Sequence, residues 1–158
     1  MIQRWVRFFH ADETRFGLLE GDQIRVYEGD MFDHPVPSER VLELRDVKLL
    51  MPTEPSKVIA MWNNFRALGQ KLNLAIPAEP LYLIKAQNSY LNPEETIQNP
   101  SCGGKVVFEG ELGIVIGKPC KSLSVAEALN YVFGYTCAND VTVADILHRD
   151  PSFVHLAP

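Results

Sequence analysis

The stretch that decides the fold is Lys105–Gly117, which reads KVVFEGELGIVIG. Its residues alternate with the period of a β-strand, and one face collects Val106, Phe108, Gly110, Leu112, Ile114 and Ile116. Because side chains two positions apart point the same way on a strand, Glu109 and Glu111 are expected to project together from the other face. We therefore predict one long strand whose apolar face is buried and whose opposite face carries two neighbouring carboxylates.

Two like charges beside an apolar surface are costly unless a positive charge joins them, and a divalent cation would do so. A third carboxylate, Asp140, follows a strand predicted over Gly134–Ala138. Carboxylates without histidine or thiolate suit a hard cation such as Mg²⁺, Mn²⁺ or Ca²⁺. The spacing alone also fits a solvated strand face, with Asp140 in an ordinary turn.

The flanking sequence is also rich in strands. The first fifty residues contain apolar and alternating segments with two acidic-glycine turns, Glu20–Asp22 and Glu28–Asp30, which indicates a meander of short strands. A proline-rich seam at Met51–Pro55 separates a small N-terminal β region, 1–52, from a second region, 53–158. The second region adds strands at Lys57–Trp62 and Leu81–Ala86 and short helices at Phe65–Leu74 and from Ser124 to about 132. The fold class predicted is mostly β (α+β).

Composition excludes several functional classes. With 158 residues, a net charge of −5 and no cluster of basic residues, the chain does not have the character of a nucleic-acid-binding protein. No stretch approaches the roughly 18 apolar residues of a membrane span. The N-terminus mixes charged with apolar residues, unlike a signal peptide. We expect a cytoplasmic protein.

Two blocks of this sequence resemble the signature of the fumarylacetoacetate hydrolase family: Phe108–Lys118 and Val132–Thr142. The resemblance extends through Lys57–Ala60, Asn64–Phe65 and Leu83–Lys85. It implies a β-rich fold of the family's own kind, incomplete at the C-terminus, and a homo-oligomer, usually a dimer. It also implies that Glu109, Glu111 and Asp140 hold a divalent cation, with Mg²⁺ expected first and Mn²⁺ or Ca²⁺ as alternatives.

Members of that family act on small 2-oxo or β-diketo acids by C–C hydrolysis, decarboxylation or keto–enol isomerisation through a metal-stabilised enolate. The resemblance implies the same substrate class here, with Lys85 bordering the substrate pocket. A lysine on that strand also fits a surface residue whose alkyl stem packs against apolar neighbours.

Two departures from the family pattern affect the expected activity. Where hydrolases of the family carry a histidine that activates water, this chain has Leu68, which is predicted to lie in the helix core. The family's active-site lysine would fall beyond Pro158, and Phe153–Pro158 does not resemble the family's continuation. Two functions stay open: a metal-dependent enzyme that favours enolate chemistry over hydrolysis, or a non-catalytic cation-binding module that partners a longer homologue.

Overall fold

A computed structural model describes residues 2–149 of the chain, so the prediction for Phe153–Pro158 lies outside the described residues. The strands are β1 (Trp5–His10), β2 (Glu13–Glu20), β3 (Gln23–Asp30), β4 (Asp33–Glu43), β5 (Lys48–Leu49), β6 (Val58–Trp62), β7 (Leu81–Lys85), β8 (Val106–Val107), β9 (Gly110–Ile116), β10 (Val132–Asn139) and β11 (Thr142–Val143). The helices are α1 (Arg66–Lys71), α2 (Val125–Ala128) and α3 (Ala144–Arg149), with single 3-10 turns at Leu44–Asp46, Gln87–Ser89 and Leu129–Tyr131. The prediction of a mostly β chain with short helices is confirmed.

The chain divides into two compact units. Unit 1 comprises the described part of Met1–Glu54 with Leu91–Thr96 and Gly110–Asn139, and unit 2 comprises Pro55–Tyr90, Ile97–Glu109 and the described part of Asp140–Pro158. The units alternate along the chain, whereas the predicted domains, 1–52 and 53–158, are continuous stretches; that division stays a prediction. No helix within residues 2–149 is long and apolar enough to cross a bilayer.

Unit 1 contains a five-stranded antiparallel sheet in the order β4-β3-β2-β1-β5. The turn predicted at Glu20–Asp22 joins β2 to β3, and Gly21 there has a φ of +62°, which glycine adopts without a steric penalty. The second predicted turn is wrong, because Glu28–Asp30 lies inside β3. The chain reverses directly after this strand, at Met31–Phe32. Gly29 instead sits at a register shift between β3 and β4, a β-bulge that needs its φ of +91°.

The buried apolar core of the described residues lies within unit 1. Its members are Phe8, Leu18, Ile24, Val26 and Met31. Gly17 on β2 lets two strands approach closely, since a Cβ there would stand 2.3 Å from the carbonyl oxygen of Arg25. Burying a side chain of this size contributes about 1.5–3 kcal/mol, so the N-terminal sheet carries the main hydrophobic stabilisation.

The single long strand predicted over Lys105–Gly117 is wrong, because two strands, β8 and β9, are separated at Phe108–Glu109. The reason is a change of pairing partner. β8 pairs with β11, whereas β9 pairs with β10, and the partner strands are themselves interrupted after Asn139. Glu109 and Asp140 therefore lie where two ladders are interrupted, outside the regular strand pleat.

The apolar face of β9 is exposed, which contradicts the predicted burial. Burial along Gly110–Ile116 does alternate, but Leu112, Ile114 and Ile116 are the exposed set, at 67%, 56% and 55%. Their cross-strand neighbours include Tyr135, which is 61% exposed. The strand period was correct, while the face that packs is the one that carries Glu111, Gly113 and Val115.

A short segment, Leu91–Thr96, is tied to unit 1 by polar contacts. Asn92 accepts a hydrogen bond from the backbone N–H of Met51, and both its backbone and its side-chain amide donate to the Glu95 carboxylate. Lys48 Nζ donates to Glu95 Oε1 at 3.0 Å. The Asn92 amide and the Lys48 ammonium lower the pKa of Glu95 from 4.5 to about 2.

We expect Glu95→Gln to remove a pH-dependent part of the folding stability. Because the pKa of Glu95 is lowered on folding, its contribution is complete above pH 4.5 and is lost as the pH falls towards 2. Urea unfolding at several pH values should show a variant that is weaker than wild type at pH 6 and equal to it near pH 2. Glu20→Gln, at the exposed end of β2, is the control. A constant difference across that pH range would contradict the assignment.

We expect the exposed face of β9 to drive self-association, since contiguous exposed apolar surface promotes association. The double variant Leu112→Lys/Ile114→Lys places charge on that face and should lower the mean mass measured by light scattering. Val125→Lys, at a 94% exposed position on α2, adds charge elsewhere in unit 1 and should leave the mass unchanged. A wild-type chain that is monomeric over the whole concentration range would show that this face does not self-associate.

Candidate functional site

Two of the predicted metal ligands, Glu109 and Asp140, lie side by side in unit 2. The backbone N–H of Asp140 donates to the carbonyl oxygen of Glu109 at 2.9 Å. This bond joins the two chain segments at the point where the β8–β11 pairing ends. Glu109 is exposed and Asp140 is half-buried, so the expectation that Glu109 projects from a buried strand is wrong.

Lys85 is paired with Asp140. Its Nζ donates to Asp140 Oδ1 at 2.7 Å, and the two side chains are only 14% and 21% exposed. Burial alternates along β7, with Leu81, Leu83 and Lys85 on the more buried face. A positive charge therefore lies directly against one of the three predicted ligand carboxylates.

Glu111, the third predicted ligand, belongs to unit 1. It is half-buried on β9, opposite Ala138 of β10. Its neighbour on the same face, Gly113, is a glycine for a local reason: a Cβ there would stand 2.8 Å from Thr136 Cγ2 on β10. Within residues 2–149, no three His, Cys, Asp or Glu side chains form a group that could hold a metal ion.

Sequence reasoning missed two residues that support this site. Thr142 is 9% exposed and its Oγ1 donates to Glu109 Oε1 at 3.1 Å. The Tyr90 hydroxyl accepts from the backbone N–H of Val58 at 2.9 Å and donates to the carbonyl oxygen of Lys85 at 3.0 Å. The only sequence signal for Thr142 was its place two residues after Asp140, and Tyr90 gave none.

The expectation that Leu68 packs in a helix core is wrong, because this side chain is 49% exposed on α1. The buried residue of that helix is Gly69, where a Cβ would stand 3.1 Å from Asn63 Oδ1. The helix therefore packs through its glycine, and the leucine that takes the family histidine's place lies on its exposed side.

The chemistry of the donor set fits a hard divalent cation. The predicted ligands are all carboxylates, and such cations prefer carboxylate oxygens. Asp140 already accommodates positive charge, since the Lys85 ammonium lies at hydrogen-bonding distance from it.

The fumarylacetoacetate hydrolase C-terminal family model matches residues 57–157. The chain belongs to the fumarylacetoacetate hydrolase family. A second model, Rv2993c-like N-terminal, matches residues 3–52. The resemblance seen in the two sequence blocks is therefore confirmed, and the family match covers all of the predicted site residues.

Similar proteins include an uncharacterised relative and proteins that are named as isomerases. An uncharacterised protein of Archaeoglobus fulgidus is 35% identical over 135 residues, which are 80% of this chain and 52% of the relative. The homoprotocatechuate catabolism bifunctional isomerase/decarboxylase of Escherichia coli is 32% identical over 139 residues, 87% of this chain and 33% of the relative. The crystal structure of 2-hydroxyhepta-2,4-diene-1,7-dioate isomerase from Mycobacterium marinum matches with a TM-score of 0.81 at 33% identity, covering 95% of this chain and 58% of that one.

These matches confirm the predicted β-rich fold of the fumarylacetoacetate hydrolase family. The chain spans about a third to a half of the length of these curated relatives. Family membership thus rests on the fold and on the sequence of the part that is present.

We expect Thr142→Val to weaken the local structure around Glu109. Valine keeps the volume of threonine but cannot donate to the carboxylate, and the loss of such a bond costs about 1 kcal/mol. Urea unfolding should show this decrease in the free energy of unfolding, whereas Thr142→Ser, which keeps the hydroxyl, should lose less. If the valine variant is at least as stable as the serine variant, the Thr142–Glu109 hydrogen bond does not contribute to the free energy of unfolding.

Proposed function

We propose that this chain is a divalent-metal-dependent enzyme of the fumarylacetoacetate hydrolase family that acts on small 2-oxo or β-diketo acids. The reaction class we assign is proton transfer between keto and enol forms, or the related decarboxylation, in preference to C–C hydrolysis. The observation that carries the proposal is the acidic centre of unit 2, where Glu109 and Asp140 are joined by a backbone bond and Lys85 faces Asp140.

We assign Glu109, Glu111 and Asp140 as ligands of the cation, with Mg²⁺ as the first expectation. Glu111 enters through the family match and through its place two residues after Glu109. When bound, the cation would supply Lewis-acid stabilisation of negative charge on the oxygens of a chelated acid. Thr142 holds the Glu109 carboxylate by a hydrogen bond, and Lys85 supplies a monovalent positive charge for an anionic substrate.

The preference over hydrolysis rests on α1. Hydrolysis needs a general base to activate water, and such a group contributes typically 10²–10⁴-fold to the rate. At the position of the family histidine, this chain has the apolar Leu68. Proton transfer at the carbon next to a keto group does not require activated water, and the E. coli relative is named as an isomerase/decarboxylase.

The test is metal-dependent exchange of the proton next to the keto group of oxaloacetate or pyruvate, followed by NMR in D₂O. We expect exchange with Mg²⁺ or Mn²⁺ that stops when a chelator is added. We also expect the melting temperature to rise on metal addition, because a ligand that binds only the folded state stabilises it. Acylpyruvate hydrolysis should stay well below about one turnover per second, the low end of the ordinary enzyme range.

Glu111→Gln is the decisive variant, since it keeps the size of the side chain but removes the charge. It should abolish both the thermal shift and the exchange while the metal-free protein stays folded. Glu79→Gln, at an exposed loop position, should behave as wild type. Equal thermal shifts in wild type and Glu111→Gln would contradict the metal assignment, and acylpyruvate turnover of several per second would contradict the reaction class.

A second candidate, a non-catalytic partner of a longer homologue, is favoured by the exposed apolar faces. In unit 2, the β6–β7 pair leaves Ile59 and Ile84 at 52% and 63% exposure. Such surfaces suit a homo-oligomer or association with a related chain. A chain that binds metal and associates but never catalyses exchange would support this alternative.

A further inference from the structure

The Lys85–Asp140 pair differs from the other ion pairs between described residues in how enclosed it is. Its two side chains are 14% and 21% exposed, whereas the pairs of Arg7, Arg15 and Lys48 each include a glutamate that is 31–76% exposed. An enclosed carboxylate without a counter-charge is strongly destabilising. Lys85 therefore neutralises Asp140 in the metal-free chain.

The backbone of Lys85 is held in place, and its ammonium lies against Asp140 at the end of an alkyl stem. Lys85 lies opposite Val58 in the β6–β7 ladder, and the Tyr90 hydroxyl bridges the two strands at this position by bonding to both residues. The only hydrogen bond recorded for the ammonium within the described residues is the one to Asp140. A flexible stem on a fixed strand end can move the charge without any change in the fold.

We propose that Lys85 is an exchangeable counter-ion: it neutralises Asp140 in the metal-free chain and leaves Asp140 when the divalent cation binds. The proposal rests on the proposed function, since it takes Asp140 as a metal ligand. An ammonium and a divalent cation on the same carboxylate repel each other, so binding of the cation weakens the Lys85–Asp140 pair. The released ammonium would then be available to favour the binding of an anionic acid.

This role makes two opposite demands on one side chain. Lys85 competes with the cation for Asp140, so it weakens the binding of metal alone. Once the metal is bound, the same charge strengthens the binding of a dicarboxylate or 2-oxo acid. A purely structural lysine would support both binding steps, because its loss would disturb the carboxylate that both of them need.

The experiment is calorimetric titration of Mn²⁺ into chelator-treated protein, followed by titration of oxalate into the Mn²⁺-loaded protein. For Lys85→Met we expect Mn²⁺ to bind at least tenfold more tightly and oxalate at least tenfold more weakly than in wild type. Lys85→Gln, which can still donate to Asp140 without the charge, should shift both affinities in the same directions and covers the case in which the methionine variant does not fold. Lys71→Met, at the exposed end of α1, removes a positive charge elsewhere in unit 2 and should change neither affinity.

The outcomes separate this proposal from the proposed function. If wild type binds Mn²⁺ but the Lys85 variants bind Mn²⁺ or oxalate with unchanged affinity, the counter-ion role of Lys85 is wrong. The proposed metal site is then still supported. If both affinities fall together, Lys85 is a structural residue. If wild type binds no Mn²⁺ with or without oxalate, the proposed metal site is wrong. The counter-ion role of Lys85, which requires that site, is then wrong as well.

Discussion

The acidic centre depends on two changes of strand pairing along the chain, one next to Glu109 and one next to Asp140. β8 pairs with β11 and β9 pairs with β10, and the chain passes from one pairing to the other at Phe108–Glu109 and again at Asp140–Val141. In a regular strand the pleat would fix each side chain to one face. At an interruption that restriction is lifted, and the backbone bond from Asp140 to Glu109 replaces the ladder there. Asp140, at this local break, is the residue that pairs with Lys85.

Local patterns in the sequence were sufficient for the element types and for the family. The strand predicted at Leu81–Ala86 is present as β7, Leu81–Lys85. The capping pattern at Ser124 correctly started α2, where the Glu127 carboxylate accepts hydrogen bonds from the Ser124 backbone and hydroxyl. These features are determined by neighbours along the chain, which a sequence displays directly.

The predictions that failed concern contacts between residues that are distant in sequence. Periodicity gave the alternation within Lys105–Gly117, but it could not show that the pairing partner changes at Glu109, because that depends on a segment about thirty residues later. Periodicity also cannot decide which face of a strand packs, so the exposed apolar set of β9 was assigned to the core. The contacts of Thr142 with Glu109 and of Tyr90 with Val58 were missed for the same reason, since these partners are 33 and 32 residues away along the chain. Hydrophobic periodicity does not reveal the contacts of side chains that lie at a strand interruption or that hydrogen-bond to a distant strand.

The central claim is that Asp140 exchanges an ammonium for a divalent cation. A crystal structure of the protein with Mn²⁺ and oxalate, with the ion located by its anomalous scattering, tests this most directly. We expect an ion about 2.0–2.6 Å from an Asp140 carboxylate oxygen, with Lys85 Nζ beyond hydrogen-bonding distance of that carboxylate. An ion bound elsewhere, with Lys85 Nζ still 2.7 Å from Asp140 Oδ1, would contradict it.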